Sequence, residues 1–226
     1  MKTFVVSLGG SIIVPDEIDI EFLKEFRTLI ISEIKNGNKF IIVAGGGKTC
    51  RKYQEGLTAV IGPNQKALDW IGISSTHLNA QLVKAIFNSK DVYPKVIVNP
   101  TEKIEFKESI LIAGGWKPGF SSDMDAVILA EQFGAKTVIN LSNINYVYTA
   151  DPRINLHAKP LPKLSWDKFF ELVGEDWKPG MNAPFDPIAS KKAKELGLEV
   201  VITKGTDLEN LKLIFEDKEF IGTIIN

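Results

Sequence analysis

The chain has 226 residues, of which 44% are hydrophobic and 24% are charged, and its formal net charge at pH 7 is −1. This length and apolar content predict a globular protein with a substantial core, while the balanced charge disfavours nucleic-acid and polybasic membrane partners. No apolar run is long enough for a signal peptide or a membrane span, so we expect a cytoplasmic protein that binds small molecules, with no nucleic acid and no membrane among its partners.

Apolar runs of strand type alternate with segments of helical periodicity along the chain. This alternation predicts a three-layer αβα sandwich of the α/β class with a mainly parallel central sheet, built as one domain over residues 1–226. The expected elements are strand 4–8, a helix from Asp19 to Gly37, strand 40–43, a helix after Gly47, helix 65–88, strand 96–98, strand 110–113, helix 122–133, strand 137–141, a helix from Ser165 to Gly174, a proline-rich loop 177–187, a helix from Asp186 or Pro187 to Leu196, strand 198–202, a last helix from Asp207 and a closing strand 222–225.

Three of the predicted strands end in consecutive glycines, at 9–10, 45–47 and 114–115. Glycine lets the backbone take positive φ and approach a ligand closely, and the N-terminus of a following helix attracts anions. Because parallel strands bring their carboxyl ends to one edge of the sheet, the three loops are expected to lie together. They predict a phosphate-binding face that takes two phosphorylated ligands.

Single-loop phosphate motifs do not account for these glycines. Gly47-Lys48-Thr49 is similar to the end of a P-loop, but that motif needs a glycine where Ile42 stands. A dinucleotide fingerprint that begins at Gly45 would need a third glycine at Cys50, so that interpretation is weak. The remaining interpretation is a nucleotide or acyl-phosphate site built from several loops.

Cysteine and histidine are too scarce for a zinc cluster. Cys50 is the single cysteine, which excludes an intramolecular disulfide, and only His77 and His157 accompany it. We interpret both histidines as structural or surface residues. Any metal is expected to have oxygen ligands, which favours Mg²⁺.

Four motifs, in this order, resemble the amino acid kinase superfamily and, within it, most resemble the uridylate (UMP) kinases of the archaeal-type branch. The motifs are VAGGGKTCR at 43–51, GGWKPGFSSD at 114–123, YTADP at 148–152 and DPIASK at 186–191. The resemblance runs from about residue 4 to the C-terminus. It implies transfer of the γ-phosphoryl group of ATP to UMP, with Mg²⁺, in a homo-oligomer that is commonly a hexamer. It also implies that the N-terminal part mainly binds the acceptor and the C-terminal part mainly binds ATP.

The resemblance also implies roles for residues at the matching positions. Segment 116–122, which we call the acceptor loop, matches the loop that holds the phosphate of UMP. The implied ATP-binding residues are Ser7, Gly9, Gly10, Ser11, Gly46, Arg51, Ser142, Tyr148 and Asp151. The implied UMP-binding residues are Gly45, Asp69, Trp116, Lys117, Pro118, Gly119, Phe120, Ser121 and Ser122.

The catalytic aspartate of the family falls at Asp186. Its implied role is to organise cations around the transferred group, because the acceptor phosphate is already anionic and needs no general base. An aspartate before Pro187 is also a typical helix N-cap, and the two roles are compatible.

The chain departs from the family in its first strand, where many members carry a lysine and this chain has Ser7. We expect the missing cation to be supplied by a catalytic Lys48, Arg51 or Lys191. Asn145-Tyr146 and the bulky Trp116 also differ from the usual residues.

Two other functions remain open from the sequence. One is a kinase of the same superfamily that phosphorylates a carboxylate, a carbamate or an isoprenoid phosphate. The other is a nucleotide-binding or storage protein that keeps the fold without turnover. A dehydrogenase is a more distant third.

Overall fold

The structure is a computed structural model that describes residues 2–174 and 183–226. Within these residues the strands are β1 (Thr3–Leu8), β2 (Lys39–Ala44), β3 (Ile110–Ala113), β4 (Thr137–Ser142), β5 (Val147–Tyr148), β6 (Pro160–Leu161), β7 (Lys163–Leu164), β8 (Glu199–Lys204) and β9 (Thr223–Ile225). The helices are α1 (Gly10–Ile13), α2 (Ile20–Lys35), α3 (Gly47–Ile61), α4 (Gln65–Ala85), α5 (Ser122–Phe133), α6 (Trp166–Val173), α7 (Pro187–Glu195) and α8 (Leu208–Phe215).

Seven strands form the central sheet in the order β3-β2-β1-β4-β8-β9-β7. Strand β1 is central, and its Val5 pairs with Ile41 of β2 on one side and with Val138 of β4 on the other. All pairings are parallel except that of β8 with β9, which is antiparallel. Strands β5 and β6 form a separate two-stranded sheet. The mainly parallel α/β sheet expected from the sequence is confirmed.

Alternate side chains of β1 enter two different cores. Phe4 and Val6 pack in a core with residues of α2, α4 and α8, while Val5 packs in a core with residues of α5, α6 and α7. Helices therefore cover both faces of the sheet, which gives the three expected layers. Burial on both faces explains why these strands lack polar alternation.

Some predicted elements differ in the structure. The strand expected at 96–98 is reduced to one bridge, between Ile97 and Ala113. Pro94 and Pro100 flank this run, and proline cannot donate a ladder hydrogen bond, so pairing does not extend. The helix expected to reach residue 88 ends at Ala85, and the short helix α1 was not expected. Most of the proline-rich loop predicted at 177–187 lies outside the described residues.

Across the described part of the chain, none of the helices is both long enough and apolar enough to cross a membrane.

Candidate functional site

The loops that follow β1 and β2 pack directly against each other. A Cβ atom on Gly10 would lie 2.6 Å from the carbonyl carbon of Gly45 and would overlap the amide nitrogen of Gly47. Gly47 also has φ +66°, a conformation that side chains disfavour. The amide of Lys48 donates to the carbonyl of Val14 at 3.0 Å. These glycines are therefore required by the contact between the two loops, whether or not a ligand is bound.

Helix α4 fixes the loop after β2. The side-chain amide of Asn79 donates to the carbonyl oxygens of Gly45 at 2.8 Å and of Gly46 at 3.1 Å. Asn79 is only 3% exposed, so this contact is shielded from water. The direction of this loop's backbone is thus set by a helix that lies later in the chain.

A partly buried polar cluster joins β1, α5 and α7. The hydroxyl of Ser7 donates to one carboxylate oxygen of Asp123 at 3.0 Å, and the backbone N–H of Asp186 donates to the other at 3.1 Å. Asp186 caps α7, because its carboxylate accepts the N–H of Ala189 at 2.7 Å. The N-termini of α5 and α7 therefore meet here, and both present the positive ends of their dipoles.

Burial changes the acidity of this cluster. It raises the pKa of Asp123 to about 6, against the opposing effect of hydrogen bonds from the Asp186 N–H and the Ser7 hydroxyl. It also raises the pKa of Asp186, which the backbone N–H groups of Ala189 and Ile188 and the hydroxyl of Ser121 oppose. Perturbed acids between two helix N-termini are typical of a functional site.

The acceptor loop contains a tight turn. The N–H of Phe120 donates to the carbonyl of Lys117 at 3.1 Å, and Gly119 has φ +85°. Proline followed by a positive-φ glycine is the pattern of a type II turn, so Pro118-Gly119 sets this geometry. The Trp116 and Phe120 rings meet edge to face with centroids 4.8 Å apart.

Lys117 lies against both rings of that pair. Its ammonium nitrogen is 3.8 Å from the centroid of Trp116 and 4.8 Å from that of Phe120. Cation–π attraction holds the charge at the loop. Beyond this turn, Ser121 caps α5 by accepting the N–H of Met124 at 3.2 Å, and Ser122 is the first residue of the helix.

Two helices hold the peptide that leads into the acceptor loop. The Gly115 N–H donates to the hydroxyl of Thr76 at 2.7 Å, and the ring of His77 bonds the Gly115 carbonyl at 2.7 Å through Nε2. The Trp116 N–H donates to Asp125 at 3.2 Å. Thr76 and His77 belong to α4, and Asp125 belongs to α5.

Asp125 is fully buried on α5, and its second carboxylate oxygen has no hydrogen-bond partner among the residues that the structure describes. Burial raises the pKa of Asp125 to about 7, and the charge of Asp123 adds to this, while the Trp116 N–H acts in the opposite direction. A carboxylate in this environment is costly for the fold.

The predicted ATP-side residues occupy several segments. Ser11 lies in α1, Ser142 ends β4 and Tyr148 ends β5. The ring of Tyr148 contacts that of Tyr146, with centroids 6.3 Å apart. Asp151 forms an ion pair with Arg153, with Nη2 and Oδ2 2.6 Å apart, and hydrogen bonds from Arg153 lower the pKa of Asp151 to about 2. Asp151 is therefore already engaged by a cation within its own turn.

Two of the three candidate cations, Lys48 and Arg51, lie one turn apart on α3, and the third, Lys191, lies on α7. Arg51 is exposed on α3 and lines a cleft of about 490 Å³ between α3 and α4. Lys48 lies 3.9 Å from the exposed Asp16. Lys191 lines another cleft, between α6 and α7. On α4, Asp69 accepts a hydrogen bond from Gln65 at 2.7 Å.

Among the described residues, no group of three or more His, Cys, Asp or Glu side chains is arranged to hold a metal. The donor set at the cluster is oxygen-rich, with the half-buried Asp186 at its edge. Mg²⁺ keeps several waters and is usually bound through one or two carboxylates and the substrate phosphates. The residues fit that mode, in which the nucleotide supplies most of the ligands.

Sequence reasoning overlooked four side chains that organise these loops: Thr76, His77, Asn79 and Asp125. His77 bonds the backbone beside the acceptor loop, which is compatible with the structural role expected for it from the sequence. Asp125 could have been noticed in the sequence. It is an acid next to Met124, Ala126 and Val127, in a helix whose buried face is otherwise apolar.

Comparisons with known proteins agree with this architecture. Residues 2–204 match the sequence profile of the amino acid kinase family. A uridylate kinase from Methanospirillum hungatei is 33% identical over 228 residues, which covers 100% of this chain and 95% of the relative. A uridylate kinase from Pyrococcus abyssi is 33% identical over 202 residues, with 88% of each chain covered.

Solved structures show the same fold. The crystal structure of uridylate kinase from Archaeoglobus fulgidus aligns with a TM-score of 0.82 at 31% identity over 100% of both chains. A UMP kinase from Bacillus anthracis aligns with a TM-score of 0.80 at 19% identity, over 100% of this chain and 96% of that one.

Proposed function

Because this chain belongs to the amino acid kinase family, we propose that it transfers the γ-phosphoryl group of ATP to UMP, giving ADP and UDP. The observation that carries the proposal is the full-length likeness to uridylate kinases, at 33% identity over 100% of the chain for one and 31% for a solved structure. Phosphoryl transfer needs alignment of two anionic groups and neutralisation of their charge, which the meeting of two helix N-termini favours.

The acceptor loop is the part of the site that we assign to the phosphate of UMP. Ser121 and Ser122 stand at the N-terminus of α5, where hydroxyls and free backbone N–H groups bind anions. Lys117 adds a cation that its two aromatic neighbours keep at the loop. Trp116, Pro118, Gly119 and Phe120 shape the turn. Gly45 and Asp69 complete the proposed UMP side.

On the donor side, we assign Ser7, Gly9, Gly10, Ser11 and Gly46 to the phosphates of ATP, with Arg51 reaching them from α3. Ser142, Tyr148 and Asp151 are assigned to its nucleoside. Asp151 would have to exchange part of its pairing with Arg153 for the nucleoside hydroxyls.

Asp186 is assigned as the catalytic aspartate, and its carboxylate is the proposed protein ligand of Mg²⁺. When bound, Mg²⁺ neutralises charge on the phosphate oxygens of the nucleotide. Asp186 is held for this task from both sides, since its own N–H donates to Asp123 and its carboxylate caps α7.

We also propose that the chain folds as one domain and forms a homo-oligomer in the cytoplasm. Support for self-association comes from helix α3, where large apolar side chains are exposed: Tyr53 is 67% exposed, Val60 81% and Ile61 61%. Exposed apolar patches of this kind mark interaction surfaces.

A coupled ADP-release assay with ATP and Mg²⁺ tests the proposal, comparing UMP, CMP, AMP and a set of small carboxylates at equal concentration. We expect turnover to be selective for UMP. Turnover only with another acceptor would replace the substrate and keep the family. No turnover with any acceptor, combined with nucleotide binding by calorimetry, would favour a binding protein.

A further inference from the structure

The peptide between Gly115 and Trp116 is held at both of its polar ends by side chains that no comparison assigns. His77 of α4 bonds its carbonyl oxygen at 2.7 Å, and Asp125 of α5 accepts its N–H at 3.2 Å. A carbonyl oxygen only accepts hydrogen bonds, so Nε2 of His77 carries the proton. Hydrogen bonds at the two ends of one peptide polarise it in the same direction and strengthen each other.

We propose that His77 and Asp125 are positioning residues for the UMP acceptor: together they fix the plane of the 115–116 peptide and thereby the acceptor loop. This inference rests on the proposed function only for the identity of the acceptor. The peptide is the last one before the loop, so its orientation sets the direction in which Trp116 and the following turn leave the sheet.

The close packing of residues 114–115 against α4 supports a fixed position for this peptide. A Cβ atom on Gly114 would lie 2.8 Å from the His77 ring and 3.2 Å from the Thr76 hydroxyl. A Cβ atom on Gly115 would lie 3.1 Å from that hydroxyl. The backbone therefore passes close against α4, and Thr76 holds the Gly115 N–H while His77 holds its carbonyl.

A buried aspartate at position 125 destabilises the fold more than a neutral hydrogen-bond acceptor would. It is fully buried, and within residues 2–174 and 183–226 one of its carboxylate oxygens has no hydrogen-bond partner. An unsatisfied buried polar atom destabilises a fold, and an asparagine would accept the same N–H without a buried charge. Asp125 is therefore kept at a cost in stability, and the hydrogen bond that it accepts is from the Trp116 N–H, at the start of the acceptor loop.

The same arrangement predicts which substrate loses affinity when His77 or Asp125 is replaced. The residues assigned to ATP lie on other loops, whereas the 115–116 peptide leads only into the acceptor loop. Misplacing a binding group by a small distance weakens binding and alignment of the group that it contacts. Loss of either side chain should therefore affect UMP and leave ATP largely unchanged.

The kinetic test uses two variants that remove the contact and two that keep it. We expect His77→Leu and Asp125→Val to raise the KM for UMP by about 10-fold, the loss of roughly one hydrogen bond, with the KM for ATP changed less than about 2-fold. His77→Gln keeps an amide donor and Asp125→Asn keeps an acceptor, and both should return the KM for UMP to within about 3-fold of the parent. Ser74→Ala, on an exposed position of α4, is the matched control.

A second readout needs no turnover. Fluorotryptophan is incorporated into the full chain, and the Trp116 resonance is assigned from a Trp116→Phe sample. Without nucleotide, we expect this resonance to shift toward the unfolded position in His77→Leu and Asp125→Val and to stay in place in the two conservative variants. If the chain does not phosphorylate UMP, the fluorine spectrum still decides the positioning role.

The inference is overturned if the Trp116 resonance stays in place in both disruptive variants. It is equally overturned if the KM values for UMP and ATP rise together, since a general loss of structure affects both. Should Asp125→Val not fold, His77→Leu decides the question by the same two measurements.

Discussion

The hydroxyl of Ser7 lies 3.0 Å from a carboxylate oxygen of Asp123, although 116 residues separate the two along the chain. Ser7 is near the end of the central strand, and Asp123 is at the start of α5. Their hydrogen bond is one of two that oppose the effect of burial on the pKa of Asp123. Ser7, at the position where the resemblance led us to expect a lysine, therefore lies next to a half-buried acid.

Replacing Ser7 with alanine should make Asp123 a weaker acid. Without the hydroxyl, the ionised form loses a donor, so the pKa of Asp123 rises further above about 6. We expect kcat measured near pH 6 to fall about 10-fold and the acidic limb of the pH profile to move to higher pH. Ser7→Thr keeps the hydroxyl and should retain the parent profile, and Ser32→Ala on α2 serves as the surface control. An unchanged profile in Ser7→Ala would contradict the role of this bond.

Asp186 has both a capping role and a proposed catalytic role, and one substitution separates them. Asparagine caps helices as well as aspartate does, so Asp186→Asn should keep the melting temperature close to that of the parent. We expect its kcat to fall about 100-fold, because the amide no longer offers a negative charge to the cations around the transferred group. Asp186→Ala should lose both activity and stability. Full activity in a well-folded Asp186→Asn protein would leave only the capping role.

Asp125 should make the fold less stable as the pH rises. Its pKa is about 7 in the folded chain, above the ordinary 3.8 of an unfolded aspartate, so the native state holds the extra proton between these values. The free energy of unfolding therefore falls as pH rises through that range. We expect Asp125→Asn to match the parent near pH 4 and to exceed its free energy of unfolding by about 3 kcal/mol at pH 8. Urea denaturation at the two pH values measures this, and a difference of equal size at both would contradict it.

Gly10 should tolerate no side chain, because a Cβ atom would overlap the backbone of the loop after β2. We expect Gly10→Ala to lower the free energy of unfolding by more than about 3 kcal/mol, since two backbones must separate. Gly56→Ala is the matched control, because a Cβ atom there, in the middle of α3, would meet no described atom within 4 Å beyond its chain neighbours and the backbone of its own helix. It should stabilise the chain by up to about 1 kcal/mol through helix propensity. Thermal unfolding of both proteins checks the prediction, and equal melting temperatures would contradict it.

The cation that replaces the first-strand lysine is open to a direct test with Lys48→Met, Arg51→Met and Lys191→Met. We expect Arg51→Met to lower kcat/KM for ATP most, by about 10-fold or more, because a guanidinium holds phosphate oxygens in a fork. Lys48 is already near Asp16, and Lys191 lines the cleft beside α6, so smaller effects are expected for both. Unchanged rates in all three variants would exclude these residues as the missing cation.

The order of elements was accessible from the sequence because it rests on local patterns. The apolar runs predicted the strands of the parallel sheet, and Asp19, Ser165 and Asp207 were correctly expected near the starts of their helices. The prediction of a strand at 96–98 was wrong because a proline on either side of this run limits its pairing. An apolar run alone does not reveal that limit.

The contacts that organise the site were not accessible in the same way. His77 and Asp125 meet one peptide from two helices, and the sequence carries no pattern that links positions 77, 115 and 125. The glycines at 10 and 45 were predicted to approach a phosphate, yet their side-chain positions are taken by each other's backbone. Such requirements arise from tertiary packing and appear only when the loops are placed together.

The position of β1 has a consequence for how the chain folds. β1 precedes both of its neighbours in the chain, and one of them begins only at Thr137. Until β4 is made, one edge of this mainly apolar strand has no hydrogen-bonding partner within the sheet. Contacts of such high sequence separation slow folding and leave this edge of the sheet exposed to aggregation until β4 is made.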